Sequence, residues 1–176
     1  MLLTIFFLIL TMVFSAFFSG VEIAFVSVDK LRFEMERGSG LNSKILSVFF
    51  KHPNNFISTM LVGNNIALVI YGILMAVVLD YLFLDALVPN QFLKMLIQTI
   101  VSTLIILFTG EFIPKTLFKI NPNLVLRIFA FPVFICYVVL YPISVLASFL
   151  SYILLRILGV KVNSEVSKRA FTKVDL

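Results

Sequence analysis

Long apolar runs separated by short polar segments dominate this chain. Residues 2–28 form the first run, which is interrupted only by small polar side chains and Glu22. Residues 56–79 and 92–113 form the second and third runs. A helix that crosses a membrane needs about 20 mostly apolar residues, so each run predicts one transmembrane helix. The mixed polar residues 29–53 predict one or two short helices at the inner surface, with apolar side chains turned to lipid or to other helices.

The first run also has features of a secretory signal peptide, with residues 14–16 as a possible cleavage site. A signal peptide begins with a basic segment, and here no Lys or Arg occurs before Lys30. The apolar run also continues beyond residue 16. We therefore expect a retained helix whose N-terminus lies outside the cell.

The last apolar stretch, residues 124–158, allows more than one arrangement. Pro132 and Pro142 lie within it, and because proline kinks helices, we expect two or three linked helical pieces. A single crossing would place the basic residues from Lys161 onward outside. A belt lying at the membrane interface, or a hairpin that crosses twice, would keep them inside. Because 35 residues are short for two full spans, we expect a belt.

Composition supports a membrane protein, since 61% of the residues are hydrophobic, 13% are charged and the mean hydropathy is +1.11. Soluble domains are about half apolar and about a quarter charged. The net charge of +5 comes from basic residues that flank the apolar runs, at residues 30–51 and from Lys115 onward. Such clusters mark cytoplasmic loops, so we expect a lipid bilayer and no nucleic acid as partner. The expected fold is an all-α membrane protein with three transmembrane helices plus juxtamembrane belt helices, with a cytoplasmic C-terminus.

Several polar residues lie within the predicted spans, where ionisable groups are costly and are candidates for function. They fall in the three predicted helices, in chain order: Ser15, Ser19 and Glu22; Asn64 and Asn65; and Glu111. The first three share one helix face because they follow at i, i+4 and i+7. At about 1.5 Å per residue, Ser19, Asn64 and Glu111 all fall in the inner half of the membrane. We expect them to converge on one cavity open to the cytoplasm.

These side chains offer only oxygen donors, which suit hard cations such as Mg²⁺ or Ca²⁺. Gly110 and Pro114 bracket Glu111, so we expect an irregular helix there, as is tolerated where a helix lines a cavity. Other readings stay open. The serines and asparagines would also serve close packing or hydrogen bonding between helices. Glu111 would also pair with Lys115 at i+4, and Glu22 with Lys30 or Arg32 near the inner surface.

Three short motifs carry a resemblance to a known family. They are S-G-V-E-I-A at residues 19–24, G-N-N at residues 63–65 and G-E-F-I-P-K at residues 110–115. In this order and spacing they resemble the transmembrane domain of the CorB/CorC and cyclin-M (CNNM) magnesium transporters. The resemblance covers nearly the whole chain, so residues 1–160 are expected to form this domain and residues 161–176 the start of a cytoplasmic linker.

The resemblance implies a homodimer with three transmembrane helices per subunit, a belt of juxtamembrane helices and a dehydrated Mg²⁺ in an inward-facing cavity. It implies Mg²⁺ export, proposed to be driven by Na⁺ entry. The metal ligands it implies are Ser19, Asn64 or Asn65, and Glu111, to which Ser15 is added on helical phase alone. It also implies supporting residues. Gly20, Gly63 and Gly110 would free backbone carbonyls, Pro114 would shape the turn and Lys115 would anchor the helix end. Glu22 is the last supporting residue.

Members of this family also carry a cytoplasmic pair of CBS domains that bind ATP. These domains are absent from the sequence, so we expect a truncated protein or a transmembrane-only fragment, with ATP acting only through the missing part. The leading hypothesis is a Mg²⁺ transporter of a prokaryotic plasma membrane. The alternative is a membrane anchor and dimerisation module without transport of its own. We do not expect an enzyme, because the chain lacks a credible nucleophile and base pair and its single His, His52, lies in a predicted loop.

Overall fold

The computed structural model describes residues 1–29, 41–81 and 90–157. The α-helices of this described part are α1 (Leu2–Ser27), α2 (Leu41–Lys51), α3 (Pro53–Leu79), α4 (Gln91–Ile106), α5 (Ile113–Ile120) and α6 (Pro122–Ile157). A π-helical segment, Leu107–Phe112, joins α4 to α5. The three apolar runs expected to be helical are helical, and α2 confirms a short helix between the first two.

Helix starts follow from local chemistry. The Asn90 side-chain oxygen accepts hydrogen bonds from the backbone N–H groups of Phe92 at 3.0 Å and Leu93 at 3.4 Å, which caps α4. Pro53 opens α3 and Pro114 lies in the first turn of α5. At Pro53, proline is tolerated because its missing N–H would have no partner in the helix.

The C-terminal half of α1 packs against α2, the start of α3 and α6 through a group of aromatic rings. The Phe56 ring centroid lies 4.3 Å from that of Phe25 and 4.5 Å from that of Phe49, and Tyr137 of α6 joins them at 5.3 Å from Phe49. Leu46 and Phe49 of α2 are buried here, which confirms that this helix packs its apolar side on other helices.

The N-terminal half of α1 packs differently, against the second half of α3 and the end of α4. The buried residues of this group are Leu8, Tyr71, Met75, Val78 and Ile106. Two polar contacts also join α3 to α4: the Tyr71 hydroxyl donates to the Ser102 carbonyl at 3.0 Å, and the Gln98 amide donates to the Ala76 carbonyl at 2.7 Å. The stretch of α1 between these two groups carries Ser15 and Ser19.

Within the described residues, four helical stretches are long and apolar enough to cross a membrane, where the sequence predicted three. They are Leu2–Ser27, Pro53–Leu79, Gln91–Ile120 and Pro122–Ala147. The third runs beyond residue 113 because α4, the π-helical segment and α5 continue one another. Many large apolar side chains on these helices are exposed, which is the surface expected of a multi-pass membrane protein.

The fourth stretch corrects the expectation of two or three linked pieces. Pro132 and Pro142 both lie inside α6, which continues through them to Ile157. A two-way hairpin within these residues is therefore also wrong. Each proline removes one backbone hydrogen bond, whereas a full break would leave several backbone groups without partners in an apolar environment.

Three sets of expectations lie outside the described residues. They concern the apolar side chains within residues 30–40, the pairing of Glu22 with Lys30 or Arg32, and the linker at residues 161–176.

Candidate metal centre

A hydrogen bond between α1 and α3 lies at the centre of the candidate site. The Ser15 hydroxyl donates to the Asn64 side-chain oxygen at 2.8 Å. Ser15 is fully buried and Asn64 is 5% exposed. Because an amide oxygen has two lone pairs, the Asn64 oxygen keeps one free for another partner.

Ser19 lies one turn further along the same face of α1, and its surroundings differ. Its side chain is fully buried, and its hydroxyl oxygen has no hydrogen-bond partner in the structure. Other hydroxyls in these helices donate to their own backbone, as Thr11 does to the Leu8 carbonyl at 2.8 Å and Thr59 to the Asn55 carbonyl at 2.6 Å. A buried hydroxyl without a partner costs free energy, so a polar or cationic ligand would stabilise Ser19.

The π-helical segment brings Gly110 against the hydroxyl of Ser15. A Cβ atom at Gly110 would lie 3.1 Å from the Ser15 oxygen and 2.7 Å from the Cδ1 of Ile106. Only glycine therefore allows this approach without displacing its neighbours. The segment confirms the predicted irregular helix around Glu111, and π-helical turns are common at functional sites.

Glu111 follows Gly110 and is partly buried. Its carboxylate lies 3.6 Å from the Lys115 ammonium, and the two side chains are 27% and 42% exposed. The half-buried Glu22 of α1 is close enough for the charges of both Lys115 and Glu111 to act on it. The i+4 pairing of Glu111 with Lys115 that the sequence allowed is thus present.

Not every candidate residue joins this group. The Asn65 side chain is exposed, since it leaves α3 about 100° around the helix from Asn64. Gly20 and Gly63 lie within continuous α-helices and serve close packing. A Cβ at Gly20 would lie 2.5 Å from the Phe118 ring, and one at Gly63 would lie 2.8 Å from both Phe18 and Leu140. Pro114 is buried at the start of α5.

An apolar cavity of about 280 Å³ lies beside this group, between α1, α3 and α6. Phe14, Gly63, Cys136 and Leu140 are among its lining residues, and no carboxylate contributes to it. Its apolar lining suits hydrocarbon groups. The candidate metal centre is therefore the group of polar side chains and not this cavity.

Hydroxyl, amide and carboxylate oxygens thus lie on three helical segments, of which α3 and the π-helical segment both contact α1 at Ser15. Mg²⁺ commonly takes one or two carboxylates together with neutral oxygens and water. Glu111, Ser19 and Asn64 supply such a set. The sequence had not indicated that Ser15 would bond to Asn64, or that the charge of Lys115 would also act on Glu22, because both effects depend on how α1 packs.

The apolar helices and the buried polar group between them define a multi-pass membrane protein. Residues 5–176 match the sequence profile of the family described as the cyclin M transmembrane N-terminal domain. The chain belongs to this family.

Named relatives agree with this assignment. UPF0053 protein MG146 of Mycoplasma genitalium is 31% identical over 156 residues, which cover 83% of this chain and 35% of the relative. UPF0053 inner membrane protein YfjD of Escherichia coli is 28% identical over 154 residues, which cover 87% of this chain and 34% of the relative. The chain therefore spans about a third of the length of these relatives.

Proposed function

We propose that this domain binds Mg²⁺ between α1, α3 and the π-helical segment and moves it across the membrane. The single observation that carries the proposal is the fully buried Ser19 hydroxyl without a partner, on the helix face that also holds the Ser15–Asn64 hydrogen bond. A cation at this position would satisfy that hydroxyl, and the proposal adds the Glu111 carboxylate of the π-helical segment as its charged ligand. Membership of the cyclin M family supports Mg²⁺ as the substrate.

Each residue has a distinct part in this proposal. Glu111 supplies the negative charge, and Ser19 and the Asn64 amide oxygen replace water ligands. Ser15 orients that amide by donating to its oxygen. Gly110 lets the π-helical backbone come close to α1. One carboxylate with neutral oxygens leaves a dication only partly neutralised, which favours binding that is weak enough for release.

Direction and coupling are proposals that rest on the family. We propose export of Mg²⁺ driven by Na⁺ entry, through a homodimer. Within α4, which the structure describes throughout, Ile106 is the one buried residue, so exposed side chains of that helix such as Leu96 and Ile100 are available to a second copy or to lipid. Regulation by ATP would act through CBS domains beyond these residues.

The proposed location rests on a relative, and the proposed orientation rests on the distribution of basic residues. The relative from Escherichia coli is named an inner membrane protein, and we extend this location to the present chain as a plasma membrane. An outside N-terminus and crossings by α1, α3 and the α4–α5 helix leave residues 30–51 and the residues from Lys115 onward inside. To keep the basic residues after Lys161 inside as well, α6 would lie along the inner leaflet as a belt instead of crossing.

The test is Mg²⁺ binding by calorimetry and flux in liposomes for the Glu111→Gln variant. The proposal expects both to be lost, because the cation would lose its charged ligand. Asp80→Asn is the matched control. It removes a carboxylate that pairs with Lys94 at 3.0 Å at the C-terminal end of α3, away from Asn64. Normal binding and flux in Glu111→Gln would refute the proposal.

A second candidate function is a membrane anchor and dimerisation module. The Ser15–Asn64 hydrogen bond favours it, because side-chain bonds of this kind hold membrane helices together. Under this alternative, Asn64 and Glu111 variants would change the dimer fraction measured by crosslinking, and wild-type liposomes would show no Mg²⁺ flux.

A further inference from the structure

Among the residues that the structure describes, Lys115 is the one basic group that forms an ion pair with the proposed Mg²⁺ carboxylate. Its ammonium lies 3.6 Å from the Glu111 carboxylate, and its charge also acts on Glu22. One positive charge therefore acts on two negative charges. Without Lys115, the partly buried Glu111 carboxylate would have no nearby cation among the contacts described.

This ion pair is loose. Tight charge-assisted hydrogen bonds between an ammonium and a carboxylate have distances of about 2.7–2.9 Å, which is shorter than the 3.6 Å between Lys115 and Glu111. Lysine carries a compact point charge on a flexible chain, and the Lys115 side chain is 42% exposed. The ammonium can thus neutralise Glu111 and still leave it when a stronger cation arrives.

We infer that Lys115 is a resident counter-cation, which yields the Glu111 carboxylate to an entering Mg²⁺ and returns to it when the ion leaves. This inference rests on the proposed function. It gives Lys115 a positioning role in the transport cycle: the ammonium lowers the affinity for Mg²⁺ and speeds its release. Conduction requires that a bound ion can also leave, and a tethered competitor achieves this without a second ligand.

The test compares three variants by calorimetry with Mg²⁺ in detergent or nanodiscs. Lys115→Gln removes the competing charge, so its Kd for Mg²⁺ should fall about fivefold, the upper range for a partly exposed ion pair. Lys115→Arg should raise the Kd, because arginine can hold a carboxylate through two parallel hydrogen bonds. Lys119→Gln, an exposed lysine one turn further along α5, controls for a general change of charge and should leave the Kd unchanged.

A second readout follows the lysine itself. Acetylation of surface amines, followed by mass spectrometry, should label Lys115 more strongly when Mg²⁺ is present, whereas labelling of Lys119 should not change. At saturating Mg²⁺, Lys115→Gln should also transport more slowly in liposomes, since release becomes slower.

The outcomes separate this inference from the function on which it rests. If folded Lys115→Gln binds Mg²⁺ no more tightly than wild type, or if both Lys115 variants weaken binding, Lys115 only anchors the helix and the inference fails while the Mg²⁺ site stands. If wild-type protein binds no Mg²⁺, the proposed function itself fails.

Discussion

Ser15 and Ser19 occupy the same face of α1, one turn apart, but only Ser15 has a partner. Ser15 donates to Asn64, whereas the Ser19 hydroxyl is buried and unpaired. Replacing each by alanine should therefore have different consequences for folding and for binding.

Ser15→Ala should lower the stability by about 1 kcal/mol, because a buried hydrogen bond is lost. Ser19→Ala should leave the stability of the Mg²⁺-free protein unchanged or higher, since the removed hydroxyl has no partner there, and should still weaken Mg²⁺ binding. Thermal unfolding without Mg²⁺ and calorimetry with Mg²⁺ measure the two effects. A clear loss of stability in Ser19→Ala would show that its hydroxyl has a structural partner after all.

The neighbouring residues Asn64 and Asn65 provide a second comparison. Asn64→Ala should abolish or strongly weaken Mg²⁺ binding, because it removes a ligand oxygen next to Ser15. Asn65→Ala should bind Mg²⁺ as the wild type does, because the Asn65 side chain is exposed. Calorimetry on both variants decides the question, and normal binding by Asn64→Ala would move the site elsewhere.

These residues illustrate how much of the candidate site can be predicted from the sequence. Counting depth along each apolar run predicts one level for Ser19, Asn64 and Glu111, because helical rise is constant. Choosing between Asn64 and Asn65 was not possible, because they differ only in their direction around α3. That direction depends on packing against α1, which the sequence does not contain as a local signal.

Among the helices, glycine decides how closely α1, α3 and α6 approach. A Cβ at Gly63 would meet Phe18 and Leu140 at 2.8 Å, so the three helices meet at this glycine. Gly72, nine positions further along α3, has no atom within 4 Å of an added Cβ. Gly63 and Gly72 can therefore be compared as a tightly packed and an open position of the same helix.

Gly63→Ala should destabilise the protein by about 1–3 kcal/mol, the usual cost of overpacking. Gly72→Ala should be neutral or stabilise by up to about 1 kcal/mol, because alanine is the better helix former. Unfolding in detergent by SDS titration compares them. Equal stability of the two variants would mean that the contact at Gly63 is not tight.

The clearest error of the sequence-based prediction concerns the two prolines of α6. Pro132 and Pro142 predicted breaks, and α6 continues through both. Proline acts on one turn, whereas an apolar environment penalises every unpaired backbone group. In contrast, the irregular segment around Glu111 was predictable from Gly110 and Pro114, although its π-helical form was not.

At the scale of the whole molecule, four candidate spans must be reconciled with the charge pattern. Four crossings from an outside N-terminus would place the basic residues after Lys161 outside. The proposed belt position of α6 avoids this. Length and composition do not distinguish a belt from a crossing, because both offer apolar side chains to lipid.

Single cysteines introduced in a Cys136→Ser background test this orientation with a membrane-impermeant maleimide on intact cells. Asn90→Cys should react from outside. Lys51→Cys and Ile157→Cys should react only after permeabilisation, because the proposed orientation places the basic segments inside. Labelling of Ile157→Cys from outside would show that α6 crosses the membrane, and labelling of Lys51→Cys from outside would reverse the whole orientation.

The most direct measurement is a crystal structure of the protein soaked in Mn²⁺, with the ion located by its anomalous scattering. Mn²⁺ prefers the same oxygen ligands as Mg²⁺. The account predicts one ion within about 2.5 Å of the Ser19 hydroxyl, the Asn64 amide oxygen and the Glu111 carboxylate, with Lys115 moved away from Glu111. A structure in which Mn²⁺ binds elsewhere, while Ser19 stays unpaired and Glu111 keeps its contact with Lys115, would contradict it.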